Sequence, residues 1–183
     1  MKEIRFHGRG GQGVVKSAQT IVQAIVETGS YAHFIPFFGV ERRGSPVFGF
    51  LRIDDKDIRI KTQVYEPEVL VIMDDSLIGM NQTFQGITDE CKIIINTNKP
   101  IEELNIPSKA KEVYAVNATK IALENIKVNI PNTAMLGAFA KVTELVEWNA
   151  LKKQIKENFG KSNVTAAKIA YDQVKCISYQ EGK

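Results

Sequence analysis

Cysteine and histidine are scarce in this sequence, and their scarcity excludes several kinds of site. The 183 residues include two cysteines and two histidines. Cys91 and Cys176 lie far apart and form no CxxC pair, so the chain alone cannot hold an iron–sulfur cluster or a structural zinc. No metal-binding set surrounds His7 or His33, and so few histidines leave no Ser–His–Asp triad. The sequence therefore offers neither a metal centre nor a nucleophile triad.

Excess charge and long apolar runs are also missing. The net charge of +3, with 25% charged and 44% hydrophobic residues, is ordinary for a globular protein and does not indicate a nucleic-acid partner. No apolar run is long enough to span a membrane, and the chain starts on a strand pattern rather than a signal peptide. We therefore expect a cytoplasmic protein without nucleic-acid or membrane partners. Its length suits a single domain over 1–183, with a frayed tail at 178–183.

The most informative stretch is the glycine loop, residues 8–13, which reads GRGGQG. A short strand pattern precedes the loop, and apolar residues at helical spacing follow it from Val14 to Ile25. Such a loop leaves backbone N–H groups at a helix N-terminus, where the helix dipole favours an anion. Glycine also lets the backbone approach a phosphate closely. The loop is therefore a candidate phosphate cradle; the alternative is a tight turn with no ligand.

The glycine loop fits neither of the two nucleotide motifs that it resembles. The GxGxxG fingerprint expects an acidic residue at the end of the next strand, and the region 31–38 contains none. A Walker A loop needs Lys and Ser directly after its last glycine, whereas Lys16 and Ser17 come two residues late. Simple NAD binding and ATP hydrolysis are both disfavoured.

Alternating strand and helix patterns predict an α/β fold. Two continuous apolar runs are typical of strands buried on both faces, and the last third of the chain reads as three helices. A short Asp54–Asp57 connection predicts an antiparallel hairpin between the strands that flank it. We expect a three-layer α/β/α domain with a mixed, mostly parallel sheet. After a first strand that ends near His7, the predicted strands are 31–38, 47–53, 58–62, 68–74, 92–96 and 113–116.

Charged and aromatic residues outside the glycine loop give weaker signals. Arg42 and Arg43, in a glycine-rich turn, can grip a phosphate or carboxylate bidentately, or can form an interface cluster with Glu41. The aromatic segment just before them indicates a partner surface. For the Asp74–Asp75 pair after a buried strand, capping of the next helix is favoured over a role in a functional site.

Three separated motifs resemble those of a known family. They are HGRGGQG from His7, FGVERRGSPVFGFLRI at 38–53 and IPNTAMLGAF at 130–139. Together, and in this order, they resemble the gamma component of the 2-oxoacid:ferredoxin oxidoreductases, with the greatest likeness to the members that act on pyruvate. The likeness runs to about Cys176. It implies a subunit, inactive alone, of an enzyme that converts pyruvate and coenzyme A to acetyl-CoA and CO₂ and reduces ferredoxin.

The resemblance also implies partners and cofactors. The partners are the alpha, beta and delta subunits of the same enzyme, with ferredoxin reached through the complex. Thiamine diphosphate is held by alpha and beta, and iron–sulfur clusters by beta and delta, so this chain alone binds no cofactor. Two alternatives stay open: a gamma subunit for 2-ketoisovalerate, 2-oxoglutarate or indolepyruvate, and a free-standing nucleotide-binding regulatory module.

The resemblance gives the candidate residues their roles. It implies that the glycine loop cradles a phosphate of coenzyme A, that the two arginines serve as phosphate ligands or interface residues, and that the helix opening at 132–133 faces the same cleft. No residue of this chain is expected to be catalytic, because the thiamine cofactor performs the bond breaking. The candidate coenzyme A residues are Gly8, Arg9, Gly10, Gly11, Gln12, Gly13, Arg42, Arg43 and Asn132.

Overall fold

The computed structural model describes residues 1–38 and 44–177. Arg42 and Arg43, and the expected frayed tail, lie outside the described residues. The described part contains seven β-strands, five α-helices and two short 3-10 helices, Asp75–Leu77 and Ile101–Glu103. The strands are β1 Lys2–Arg9, β2 Tyr31–Phe38, β3 Pro46–Asp54, β4 Val69–Ile72, β5 Lys92–Asn96, β6 Glu112–Val116 and β7 Lys175–Cys176. The helices are α1 Val14–Glu27, α2 Ala118–Asn125, α3 Asn132–Thr143, α4 Trp148–Phe159 and α5 Lys161–Gln173.

The seven strands form one mixed sheet in the order β2-β3-β1-β4-β5-β6-β7. Strands β1, β4, β5 and β6 run parallel to one another. Strand β3 is antiparallel to both of its neighbours, β1 and β2, and β7 is antiparallel to β6. Five of the seven strands therefore point the same way. The predicted α/β class and the mixed, mostly parallel sheet are confirmed.

The predicted hairpin between 47–53 and 58–62 is wrong. Strand β3 pairs with β2 and β1 instead, and residues 58–62 form no strand. The carbonyl oxygens of Ile60 and Thr62 accept hydrogen bonds from the Arg52 guanidinium at 3.5 and 2.8 Å. A side chain thus satisfies carbonyl groups that a neighbouring strand would satisfy if the segment were part of the sheet.

All five α-helices pack on one face of the sheet. Residues from each of them share a hydrophobic core with alternate strand residues such as Phe6, Leu51 and Val71. Helix α1 buries Val14 and Ile21 on the face that the apolar spacing predicts. Burying one such side chain stabilises the fold by roughly 1.5–3 kcal/mol. This face holds the larger of the two cores in the described part.

Among the described residues, no α-helix packs on the opposite face of the sheet. Leu70, Ile72 and Ile93 lie in a second core there, which 3-10 turns and irregular segments cover. Glycine and proline explain the difference, because both residue types disfavour a continued helix. They stand in the covering segments at Gly79, Gly86, Pro100 and Pro107.

Candidate functional site

The glycine loop connects β1 to α1 at the carboxyl end of β1. Gly11 and Gly13 have φ angles of 95° and 80°, which favour glycine because a Cβ is strained there. Gly13 is the N-cap of the 14-residue helix α1, and no side chain caps it. The N–H groups of the first helical turn therefore lack the capping partner that they usually have.

Only some of the N–H groups of the loop are used within the protein. Arg9 N donates to Gln12 Oε1 at 2.8 Å, and Gly10 N donates to Ser45 O at 2.8 Å. Gln12 N donates to Arg9 O at 3.0 Å. Among the described residues, none accepts a hydrogen bond from Gly11 N or Gly13 N. Some N–H groups of the loop thus stabilise its conformation, and the others remain available to bind an anion.

Asp74, at the end of β4, ties the loop to the sheet. Its Oδ2 accepts from Gln12 Nε2 at 2.7 Å and lies 3.5 Å from Arg9 Nε. Its Oδ1 accepts from Ser76 N at 3.0 Å, so the predicted capping role is confirmed. Burial alone would raise the pKa of Asp74, but hydrogen bonds from Ser76 and Gln12, with the Arg9 charge, hold it below its ordinary value. The ionised carboxylate therefore positions Arg9 and Gln12.

The structure also brings Asn132 against the glycine loop. A Cβ added to Gly13 would lie 2.7 Å from Asn132 Nδ2, and one added to Gly8 would lie 2.4 Å from Val14 Cγ2. Asn132 is buried at the start of α3, and its Oδ1 accepts from Thr133 N at 2.8 Å. Glycine is required at Gly8 and Gly13 for close packing, and the first and third sequence motifs are neighbours in space.

A polar crevice adjoins the loop at the carboxyl ends of the parallel strands. Its volume is about 250 Å³. Asn96 organises its floor, because Nδ2 donates to Met73 O at 3.0 Å and to Thr119 Oγ1 at 2.9 Å. Sequence reasoning missed this crevice, although polar residues directly after neighbouring parallel strands are a usable signal. The lining includes Gln12, Asp74, Asp75, Asn96, Thr97 and Asn117.

In the described part of the chain, the structure supports neither a metal site nor a reactive thiol at Cys91. Residues 1–38 and 44–177 contain no group of three or more His, Cys, Asp or Glu side chains placed to hold a metal ion. Burial raises the pKa of Cys91 to about 11, so this thiol is a poor nucleophile at neutral pH. Over the same residues, no helix combines the length and apolar character needed to cross a bilayer.

Comparison with known proteins decides the family. A family model described as pyruvate ferredoxin/flavodoxin oxidoreductase matches residues 3–173. The chain belongs to this family. The pyruvate/ketoisovalerate oxidoreductases common subunit gamma of Pyrococcus furiosus is 48% identical over 179 residues, with 94% of this chain and 97% of that protein covered. The pyruvate synthase subunit PorC of Methanothermobacter marburgensis is 45% identical, with 96% and 98% covered.

A solved structure shares both fold and sequence with the chain. The pyruvate oxidoreductase subunit PORC of Thermotoga maritima superposes with a TM-score of 0.84 at 35% identity, over 96% of this chain and 97% of that one. The family resemblance drawn from the three motifs is confirmed. The chain is a subunit of an oxidoreductase, as its family members are.

Proposed function

We propose that the chain is the gamma subunit of a cytoplasmic pyruvate:ferredoxin oxidoreductase, inactive alone and assembled with alpha, beta and delta subunits. The 48% identity to a gamma subunit over nearly its whole length supports this role. Thiamine diphosphate and the iron–sulfur clusters would reside on the partners. The relative from Pyrococcus furiosus is named as common to two oxidoreductases, which favours substrate choice by the partner subunits.

Within that enzyme, the glycine loop is proposed to bind a phosphate of coenzyme A. The observation that carries this proposal is the set of N–H donors at Gly11, Gly13 and the first turn of α1 that have no acceptor among the described residues. A helix N-terminus favours an anion by about 0.3–1 kcal/mol at exposed sites. Hydrogen bonds from several backbone N–H groups to a charged oxygen add to that preference.

The charges around the loop are compatible with a phosphate. Asp74, a carboxylate beside the loop, has Arg9 3.5 Å away and accepts hydrogen bonds from Gln12 and Ser76, so its charge is partly balanced. The amide and hydroxyl groups of the adjoining crevice, Asn96 and Thr97 among them, suit the uncharged polar parts of coenzyme A. Loop and crevice together supply donors for a phosphate and partners for a small uncharged part of coenzyme A.

Arg42 and Arg43 are proposed as phosphate ligands of the same site, with an interface role as the alternative. Support comes from the residue that follows them, because Gly44 N donates to Gly10 O at 3.1 Å. In addition, Arg9 Nη1 donates to Gly44 O at 3.0 Å. Arg43 therefore directly precedes, in sequence, a residue that is hydrogen-bonded to the glycine loop.

The test replaces Gly11 with alanine in the assembled enzyme. A Cβ at Gly11 should block close approach of the phosphate and raise the Michaelis constant for coenzyme A about tenfold, or about 1.4 kcal/mol. Pyruvate–CO₂ exchange should stay at the wild-type rate, because decarboxylation precedes the coenzyme A step. Both rates are measured on the same preparation.

Gly29→Ala is the matched control for this test. Gly29 follows α1 at its other end with a φ of 90° and nothing within 4 Å of an added Cβ. Both substitutions therefore carry the same left-handed strain, roughly 1–2 kcal/mol, but only Gly11 lies in the loop. If the assembled Gly11→Ala enzyme keeps the wild-type Michaelis constant for coenzyme A, the loop is a simple turn that binds no phosphate.

A further inference from the structure

A second cavity lies on the sheet face opposite the helices, away from the glycine loop. Its volume is about 320 Å³, which is at the small end of the range for ligand pockets. Alternate residues of β1 and β3 contribute Arg5, His7, Phe48 and Phe50, and β2 contributes Phe37. The remaining lining residues are Gln63, Val64, Tyr65, Gln82 and Gln85.

Arg5 brings a positive charge to this cavity, and the described residues place no carboxylate against it. Its side chain is 6% exposed, and its Nη2 donates to Thr83 O at 3.0 Å and to Gln85 O at 2.7 Å. Nη1 has a single long contact, 3.4 Å to Val64 O. Within residues 1–38 and 44–177, no carboxylate forms an ion pair with Arg5. Burial lowers the pKa of Arg5, which reflects the cost of burying a cation.

His7 adds a second hydrogen-bond donor beside this charge. Its Nε2 accepts from Arg5 Nε at 3.0 Å, so in the neutral ring the proton is assigned to Nδ1. Nδ1 is buried and has no hydrogen-bond partner among the described atoms. Burial, with the nearby Arg5 charge, lowers the pKa of His7 to about 3. A positive charge and an unpartnered donor together favour an anionic acceptor such as a carboxylate.

The rim of the cavity is aromatic and exposed. Phe37 is 46% exposed and Tyr65 is 69% exposed. Aromatic residues of this kind are enriched at the centres of protein interfaces. Strand β2 is an edge strand, but Pro36 interrupts its hydrogen-bonding edge, which discourages strand addition. A partner is therefore expected to engage side chains on this face rather than the strand edge.

We propose that this cavity is the docking site of another subunit of the oxidoreductase complex, which inserts an Asp or Glu side chain towards Arg5 and His7 between Phe37 and Tyr65. The partner supplies the counter-ion that the described residues of the chain do not provide, and apolar residues beside its carboxylate cover the two aromatic rings. The inference rests on the proposed role of the chain as a complex subunit, and it is independent of the coenzyme A assignment.

Site-specific cross-linking in the assembled complex tests the location. The photoreactive residue p-benzoylphenylalanine is incorporated at Tyr65 and, as the control, at Leu123, which is 46% exposed on α2 in the helical layer. Light should join position 65 to a peptide of another subunit that contains an Asp or Glu. An assembled complex without such a cross-link at position 65 overturns the inference and leaves the proposed function intact. Failure of the wild-type chain to assemble overturns both.

A double-mutant cycle tests the carboxylate. Arg5→Met and the matching Asp→Asn or Glu→Gln change in the cross-linked peptide should each weaken association about tenfold. The double variant should lose little more, because each change breaks the same pair. Thermal unfolding of the Arg5→Met chain checks that it is folded. Additive losses of association free energy would contradict an ion pair between Arg5 and the partner carboxylate. Stabilisation of the isolated wild-type chain by acetate or pyruvate, without a cross-link, would overturn docking in favour of a small-molecule site.

Discussion

The protonation of the two histidines is set by their position on the sheet face opposite the α-helices. His7 and His33 both lie opposite the helical layer, and each has one ring nitrogen without a hydrogen-bond partner among the described atoms. Burial lowers the pKa of both, and nearby arginines, Arg5 and Arg52, lower it further. Both rings are therefore neutral in the folded protein near pH 7. The positive charge of each arginine disfavours protonation of the neighbouring imidazole ring.

The depressed pKa of His7 makes the stability of the chain depend on pH. The unfolded chain binds a proton near pH 6.5 and the folded chain only near pH 3, so stability is full above pH 6.5 and falls as the pH is lowered towards 3. We expect a slope of up to about 1.4 kcal/mol per pH unit from this residue. Urea unfolding at pH 7, 6, 5 and 4 measures it.

The control for this prediction is His7→Gln, which keeps a hydrogen-bond acceptor for Arg5 but cannot titrate. Its free energy of unfolding should decline less steeply with falling pH than that of the wild type. Other groups that titrate in this window contribute equally to both proteins and cancel in the comparison. Parallel profiles between pH 6.5 and 4 would mean that His7 is protonated in the folded state.

At the scale of single elements, Arg52 determines how the segment after β3 is held. Its side chain is 1% exposed and lies 2.7 Å from Glu3 Oε1. It also donates to the carbonyls of Thr62 and Gln63 at 2.8 and 3.2 Å. The guanidinium offers five donors, enough to satisfy an irregular segment that has no strand neighbour. One buried side chain thus takes the place of a hydrogen-bonded strand.

Replacing Arg52 with methionine should detach this segment. The change leaves Glu3 without its partner and several carbonyls without donors, so the free energy of unfolding should fall by roughly 3–5 kcal/mol. Arg59→Met is the control, because Arg59 is 90% exposed and pairs with Asp57 on the surface; the stability of this variant should be close to that of the wild type. Urea denaturation compares the two. Similar losses in both variants would contradict the anchoring role of Arg52.

Elements with a strong local pattern could be predicted from the sequence, and those fixed by distant side chains could not. Apolar residues at helical spacing predict helix α1, and continuous apolar runs predict the strands β4 and β5. The residues that are buried in the structure match both patterns. The segment 58–62 alternates apolar and charged residues as a strand does. Both edges of β3 are already paired, with β1 and β2, and Arg52 holds the segment elsewhere; no local pattern reveals either fact.

The same limit applies to the candidate site. The glycine loop and its helix are local, so their geometry follows from the sequence. The bond between Gln12 and Asp74 joins the ends of β1 and β4, and it requires knowledge that these strands are neighbours. The contact of Asn132 with Gly13 was expected only through family likeness, because the two positions are far apart in the chain.

At the scale of the whole molecule, two separate surfaces carry the proposed tasks. The glycine loop and polar crevice lie at the carboxyl ends of the parallel strands, and the cavity beside Arg5 lies on the sheet face opposite the five α-helices. The helical layer holds the larger core and keeps both surfaces in place. Such a division suits a subunit that completes a site formed with its partners rather than one that performs chemistry itself.

The most direct test of the central claim compares coenzyme A with pantetheine, which lacks its phosphates, as acyl acceptors. In the assembled enzyme, Gly11→Ala should raise the Michaelis constant for coenzyme A about tenfold and leave that for pantetheine at its wild-type value. This comparison is a double-mutant cycle in which one change is made in the protein and the other removes the phosphates of the ligand. An effect seen only with coenzyme A shows that the substitution acts through a phosphate. Equal increases for both acceptors, or none for either, would contradict phosphate binding by the glycine loop.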